Sequence, residues 1–86
     1  MPRISEFFGI VISMFYKEHA PPHFHAIYGQ SEAMIGIDPI QVIKGELPRR
    51  VQSLVFEWAA MVQPELRMNW ELAETKEPLK HISPLE

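Results

Sequence analysis

Residues 23–37, HFHAIYGQSEAMIGI, decide the fold. Two β-prone runs meet across Gly29-Gln30, and a glycine in the first place of a two-residue turn is a hairpin signal. With the turn set there, Tyr28 faces Ser31, His25 faces Met34 and His23 faces Gly36. Side chains alternate along a strand, so one face carries Phe24, Ala26, Tyr28, Ala33, Ile35 and Ile37. That is an apolar face fit to be a core. The other carries His23, His25, Ile27, Glu32, Met34 and Gly36, with Glu32 diagonal to His25. A slip of one residue would exchange the two faces, so the hairpin register and any site built on it stand together.

Working outward, residues 7–16, FFGIVISMFY, are β-branched and aromatic without an internal charge, which predicts one largely buried strand. Asp38-Pro39 reads as a turn. IQVIKGEL, residues 40–47, alternates and predicts a further, more exposed strand that Gly45 ends or bulges. After Pro48, which costs a helix nothing in its first turn, Val51, Leu54, Val55, Trp58 and Val62 repeat at helical spacing. Pro64 ends that helix and opens a second, whose inner stripe is Leu66, Trp70 and Ala73. Glu65 stands at the second helix's positive end and Lys76 at its negative end. The tail, residues 77–86, has two prolines and room for one short strand at most. The expected class is α+β: a small antiparallel sheet of three to four strands, then two helices packed on one face.

The chain's 86 residues fit a single domain, 1–86. A chain of this size buries only about 60–65% of its unfolded surface, so an oligomeric or partner interface would add useful burial. No apolar run approaches the ~20 residues of a membrane helix. The N-terminal stretch lacks the pattern of a secretory signal. There is no cysteine, which excludes disulfides, thiolate metal sites and a cysteine nucleophile and fits a cytoplasmic protein. Eight basic residues stand against eleven acidic ones and are scattered, which disfavours nucleic acid as a partner.

Three of the four histidines fall in KEHAPPHFHAIYG, residues 17–29. His23 and His25 project from the same strand face with Cα atoms ~6.6 Å apart, close enough for both imidazoles to bind one ion such as zinc. His19 is a weaker candidate. If Ala20-Pro21-Pro22 runs as polyproline, His19 lies roughly 12 Å from His23. Glu32 is the other weaker candidate, a carboxylate near His25. An imidazole pair with a carboxylate suits a divalent ion or general acid–base work. The alternative is that these histidines are polar residues on an outer sheet face, because His-x-His without a second paired element is not a specific metal motif. His81 is a lone tail histidine.

Arg49 and Arg50 stand in the first turn of the first predicted helix, where positive charge opposes the helix dipole. Beside free backbone N–H groups they are candidate anion-binding residues, the alternative being ion pairs with Glu46 or Glu57. Trp58 and Trp70 fall on apolar stripes and belong to the core. There is no phosphate-binding glycine loop, zinc-protease histidine pair or nucleophile elbow. No serine has a local base partner that would mark a nucleophile.

Taken together, the segments ISEFFGIVISMFYKEHAPPHFHAIYG (4–29), GELPRRVQSLVFEWA (45–59), and NWELA (69–73) with PLKHISPLE (78–86) resemble the bacterial domain-of-unknown-function family 4160. Its histidine segment corresponds here to His19, Pro21, Pro22, His23 and His25, and its arginine segment to Pro48, Arg49 and Arg50. The resemblance implies no established activity, cofactor or catalytic residue. It implies a small protein encoded beside a member of another uncharacterised family, number 2442, in what has been suggested to be a toxin–antitoxin-like pair. The expected function is therefore to act through a protein partner, the neighbouring gene's product, with self-association as a further expectation. The alternative is a small metal-dependent hydrolase of the nuclease class. There His23 and His25 would hold the ion, Glu32 or Asp38 would position a water, and Arg49-Arg50 would bind phosphate.

Overall fold

The structure, a computed structural model, describes residues 2–86. Five antiparallel strands follow one another in chain order across a single sheet: β1 (Arg3–Phe7), β2 (Ile10–Ser13), β3 (His23–Tyr28), β4 (Ser31–Gly36) and β5 (Val42–Glu46). Two helices complete the chain, α1 (Arg49–Met61) and α2 (Gln63–Glu74).

The β3–β4 hairpin has the expected register throughout, with His23 opposite Gly36, His25 opposite Met34 and Tyr28 opposite Ser31. Gly29 opens its turn at φ +59. Phe24, Ala26, Ala33, Ile35 and Ile37 are all buried. Tyr28, at the hairpin's end, is the one member of the predicted apolar face left exposed.

The sheet has five strands where three to four were expected. The apolar run 7–16 is not one strand. It is the end of β1, a two-residue turn at Phe8-Gly9, and β2. Both turn residues have positive φ, 51° and 79°, as a type I′ hairpin turn requires. Phe8 is 61% exposed at the turn's tip, so its apolar character reports neither burial nor strand.

Both helices form where the apolar spacing places them. Val51, Val55, Trp58 and Val62 are buried from the first stripe, with Leu54 half-buried, and Leu66, Trp70 and Ala73 from the second. Trp58 lies against Phe7 and Phe24, with ring centroids 5.3 and 5.8 Å away, which puts α1 on the apolar face of the sheet. Lys76 lies just past the last turn of α2 at φ +61. There the Glu77 N–H donates to the Leu72 carbonyl and the Lys76 N–H to that of Ala73. This pattern satisfies the carbonyls that a helix end leaves open.

The tail forms no strand, yet it is fastened to the body. Asn69, 1% exposed, donates to the Lys80 carbonyl and accepts from the Lys80 N–H. The Trp58 indole donates to the Ser83 carbonyl and the Ile82 N–H to that of Ile4. Ile82 and Leu85 are buried in the core. No helix is long and apolar enough to cross a membrane among the described residues.

Candidate metal centre

The register gathers the face opposite the core into transverse rows. One runs Ser13, His25, Met34, Lys44 across β2 to β5. His23 and His25 are not solvated outer-face residues, being 3% and 8% exposed. Phe15 meets the His25 ring edge-on at 4.7 Å, and Trp70 of α2 lies 5.2 Å from the His23 ring.

The third polar group is Glu18, in the connection between β2 and β3. Its Oε1 lies 3.0 Å from His23 Nε2 and 2.7 Å from His25 Nε2. The two outer ring nitrogens are also engaged. His23 Nδ1 is 2.8 Å from the Pro21 carbonyl, and His25 Nδ1 is 3.2 Å from Glu32 Oε2. A carbonyl and a carboxylate only accept, so each Nδ1–H donates outward. Each Nε2 then turns toward Glu18 and offers it a proton, or offers a cation its lone pair. Burial acts to raise the Glu18 carboxyl. The hydrogen bonds and charges of His25, then His23, outweigh it and hold Glu18 below its ordinary 4.5.

One donor atom from each of Glu18, His23 and His25 falls within 4.8 Å of the others. A tetrahedral ion with bonds of ~2.0–2.2 Å spaces its ligands ~3.3 Å apart, so the 3.0 and 2.7 Å separations of Glu18 Oε1 from the two Nε2 atoms would each widen by about 0.3–0.6 Å to receive one. The outward Nδ1–H bonds are the orienting contacts that metal-binding histidines ordinarily make. The Ser13 hydroxyl, opposite His25, is fully buried without a hydrogen-bond partner among the described residues. The Ser5 hydroxyl, opposite Ile12, is likewise unpartnered.

Of the residues singled out in the sequence, His23 and His25 converge, and Glu32 sits behind His25 rather than beside His23. His19 is exposed and is not part of the convergent group. Asp38 pairs with Arg67 at 3.5 Å. Arg49 and Arg50 form no ion pair among the described residues. Arg50 lines a separate cavity of about 330 Å³ with Phe8, Tyr28, Val51 and Leu54, which shares no residue with the histidine group. Glu18 is the residue that sequence reasoning missed. It stands five positions before His23, across the Pro21-Pro22 step where an extended path leads away from the histidines. The available signal was its place in a segment that must reverse to let β3 pair antiparallel with β2.

The architecture is thus a small α+β domain whose antiparallel meander carries two histidines and a glutamate on the face away from α1. A family model, Domain of unknown function (DUF4160), matches residues 9–71, well over half of the chain. The chain belongs to that family. The match spans the histidine segment, Glu18 and the arginine pair. No curated protein and no solved structure matches the chain.

Proposed function

We propose that this protein binds a divalent transition-metal ion through Glu18 Oε1, His23 Nε2 and His25 Nε2, and that it belongs to the metal-dependent hydrolase class. The observation that carries this reading is the convergence of those three donors, with both outer imidazole nitrogens already tied to acceptors. Two imidazoles and one carboxylate form the donor set of open, catalytic zinc sites, in which three protein ligands leave a fourth position for water or substrate. Such an ion supplies an acidified water with a pKa near ~7. Pro21 and Glu32 hold the imidazole rings, and Phe15 and Trp70 shield them from bulk water.

Calorimetric titration of chelator-treated protein with zinc tests this. The expected result is micromolar or tighter binding at one ion per chain, weakened at least about tenfold in Glu18→Gln and abolished in the His23→Ala/His25→Ala double variant. Glu18→Gln keeps the side chain's size and a hydrogen-bonding oxygen, so it separates loss of a ligand from loss of the fold. Absence of zinc binding to the unaltered chain, or equal affinity in Glu18→Gln, overturns the reading.

The partner reading has its own observation. Phe8 and Tyr28 are exposed beside Arg50 around the 330 Å³ cavity, and exposed apolar surface next to a cavity is what a protein interface uses. In this reading the chain is one half of a toxin–antitoxin-like pair. Co-expression with the neighbouring gene's product gives a stable complex that Phe8→Asn/Arg50→Glu weakens. The two readings use different residues of the protein and are compatible.

A further inference from the structure

We infer that the cavity beside Arg50 is a binding site for a small aromatic carboxylate, its ring against Phe8 and Tyr28 and its acid group on the guanidinium. This goes beyond the partner reading, which uses the exposed apolar rim, and it needs no metal. The cavity measures about 330 Å³ and is lined by Phe8, Tyr28, Arg50, Val51 and Leu54. That is the lower end of the ~300–1,000 Å³ of small-molecule sites, whose usual lining is apolar and aromatic with a few placed polar groups. Such a space selects for a compact ligand.

Three of the lining residues are ones that the fold alone leaves unexplained. Phe8 holds a left-handed backbone at φ 51 and exposes most of its ring. Strain kept without a return in packing is a feature of ligand clamps. Tyr28 belongs to the apolar face of β3 yet stays 39% exposed. Arg50 brings a positive charge to the first turn of α1, which has no acidic residue and no side-chain cap. It has no carboxylate within ion-pairing distance among the described residues. The topology brings the three together. In the antiparallel meander β1, β3 and β5 run the same way, so the Phe8-Gly9 turn, the Gly29-Gln30 turn and the start of α1 share one end of the sheet. A Cβ on Gly9 would stand 3.5 Å from the Tyr28 ring, so that ring lies against the first hairpin's turn.

The ligand's chemistry follows from that set. Val51 belongs to the core and Leu54 packs against it, giving the cavity an apolar wall on α1. Two aromatic rings favour an aromatic body, because ring pairs add to the gain from burial alone. The guanidinium is the one charged group of the lining, and its planar fork matches a carboxylate through two parallel hydrogen bonds. One guanidinium neutralises a monoanion. The second charge of a phosphate ester would be left unpaired against apolar walls, so the site selects a carboxylate.

Phenylacetate, phenyl phosphate, benzyl alcohol and acetate, each titrated into isotope-labelled protein and followed by NMR, test this. Phenylacetate should shift the amide signals of Phe8, Tyr28 and Arg50 saturably, with a Kd of about 1 mM or tighter for so small a ligand. Benzyl alcohol and acetate each carry half of the recognised group and should bind at least tenfold more weakly, roughly the effect of one charge-assisted contact. Arg50→Gln should weaken phenylacetate by about tenfold or more, with amide signals away from the cavity unmoved. Phe8→Asn should weaken it by about threefold or more. Asparagine suits the turn better than phenylalanine, so affinity lost in that variant is not fold lost. No saturable shift below about 10 mM, equal affinity for phenylacetate and benzyl alcohol, or undiminished binding in Arg50→Gln overturns the site and leaves the metal and partner readings standing. Tighter binding of phenyl phosphate than of phenylacetate overturns the choice of a carboxylate.

Discussion

At the scale of single residues, the chain's own hydrogen bonds hold the candidate site together. One Glu18 oxygen lies 3.0 and 2.7 Å from the Nε2 atoms of two buried imidazoles, and the hydrogen bonds and charges of His25, then His23, hold its carboxyl below 4.5 despite the opposing effect of burial. A depressed folded-state pKa means the unfolded chain binds the proton more readily. Stability from Glu18 is therefore present above the unfolded value and disappears as pH falls through the folded one. In the absence of metal, the unaltered chain should resist urea better than Glu18→Gln at pH 6. As pH falls from 4.5 through the lowered folded value the two should converge. Urea titrations across that range check this, and a gap that persists or widens in acid contradicts it. In the proposed metal-bound form acid would remove stability in the same direction, because protons and the ion would compete for the same Nε2 and Oε1 atoms.

At the scale of elements, the β1–β2 hairpin joins two strands through a residue poorly suited to its place. Phe8 is a bulky side chain at φ 51, a conformation that costs a non-glycine residue about 1 kcal/mol or more. It recovers little by packing, since it is largely exposed, with its ring perpendicular to that of Phe7. Asparagine before glycine is the preferred pair for a type I′ turn. Phe8→Asn should therefore raise stability by about 0.5–1 kcal/mol, read as a higher denaturation midpoint at unchanged slope. A drop would mean that Phe8 is anchored by contacts that outweigh its backbone strain. This same residue explains why the first hairpin was not legible in the sequence. Hydropathy marks strands by what they bury, and an aromatic in a turn imitates a strand interior. The β3–β4 hairpin could be read because Gly29-Gln30 is both turn chemistry and a gap in the apolar pattern. Half of the candidate site followed from that register, which puts His23, His25 and Glu32 on one face. The other half did not, because Glu18 reaches the imidazoles through the path of a loop, and loop paths are set by tertiary packing that no local periodicity encodes.

At the scale of the whole molecule, the least regular segment closes the structure. The tail has no ladder of its own, so its backbone groups are satisfied by side chains and strands of the body. Asn69 supplies both partners of Lys80 from a position in α2 that is 1% exposed. The adjacent residue, Trp70, packs against the His23 ring, so one turn of α2 holds the tail and flanks the site. Asn69→Ala would strand the Lys80 N–H and C=O. Each partner lost costs about 1–3 kcal/mol when the group stays buried, and less when the tail loosens enough to admit water. The expected net loss is about 2–3 kcal/mol, a large fraction of the ~5–15 kcal/mol available to a domain. Zinc should return much of it, because an ion bound only by the folded chain at a hundredfold excess over its Kd adds about 2.7 kcal/mol. Urea unfolding of Asn69→Ala with and without zinc measures both terms. A loss below about 0.5 kcal/mol would make the tail a passive cover. A loss that zinc fails to offset, in a variant shown by calorimetry to bind the ion, would mean that the site survives in a chain whose body has already loosened.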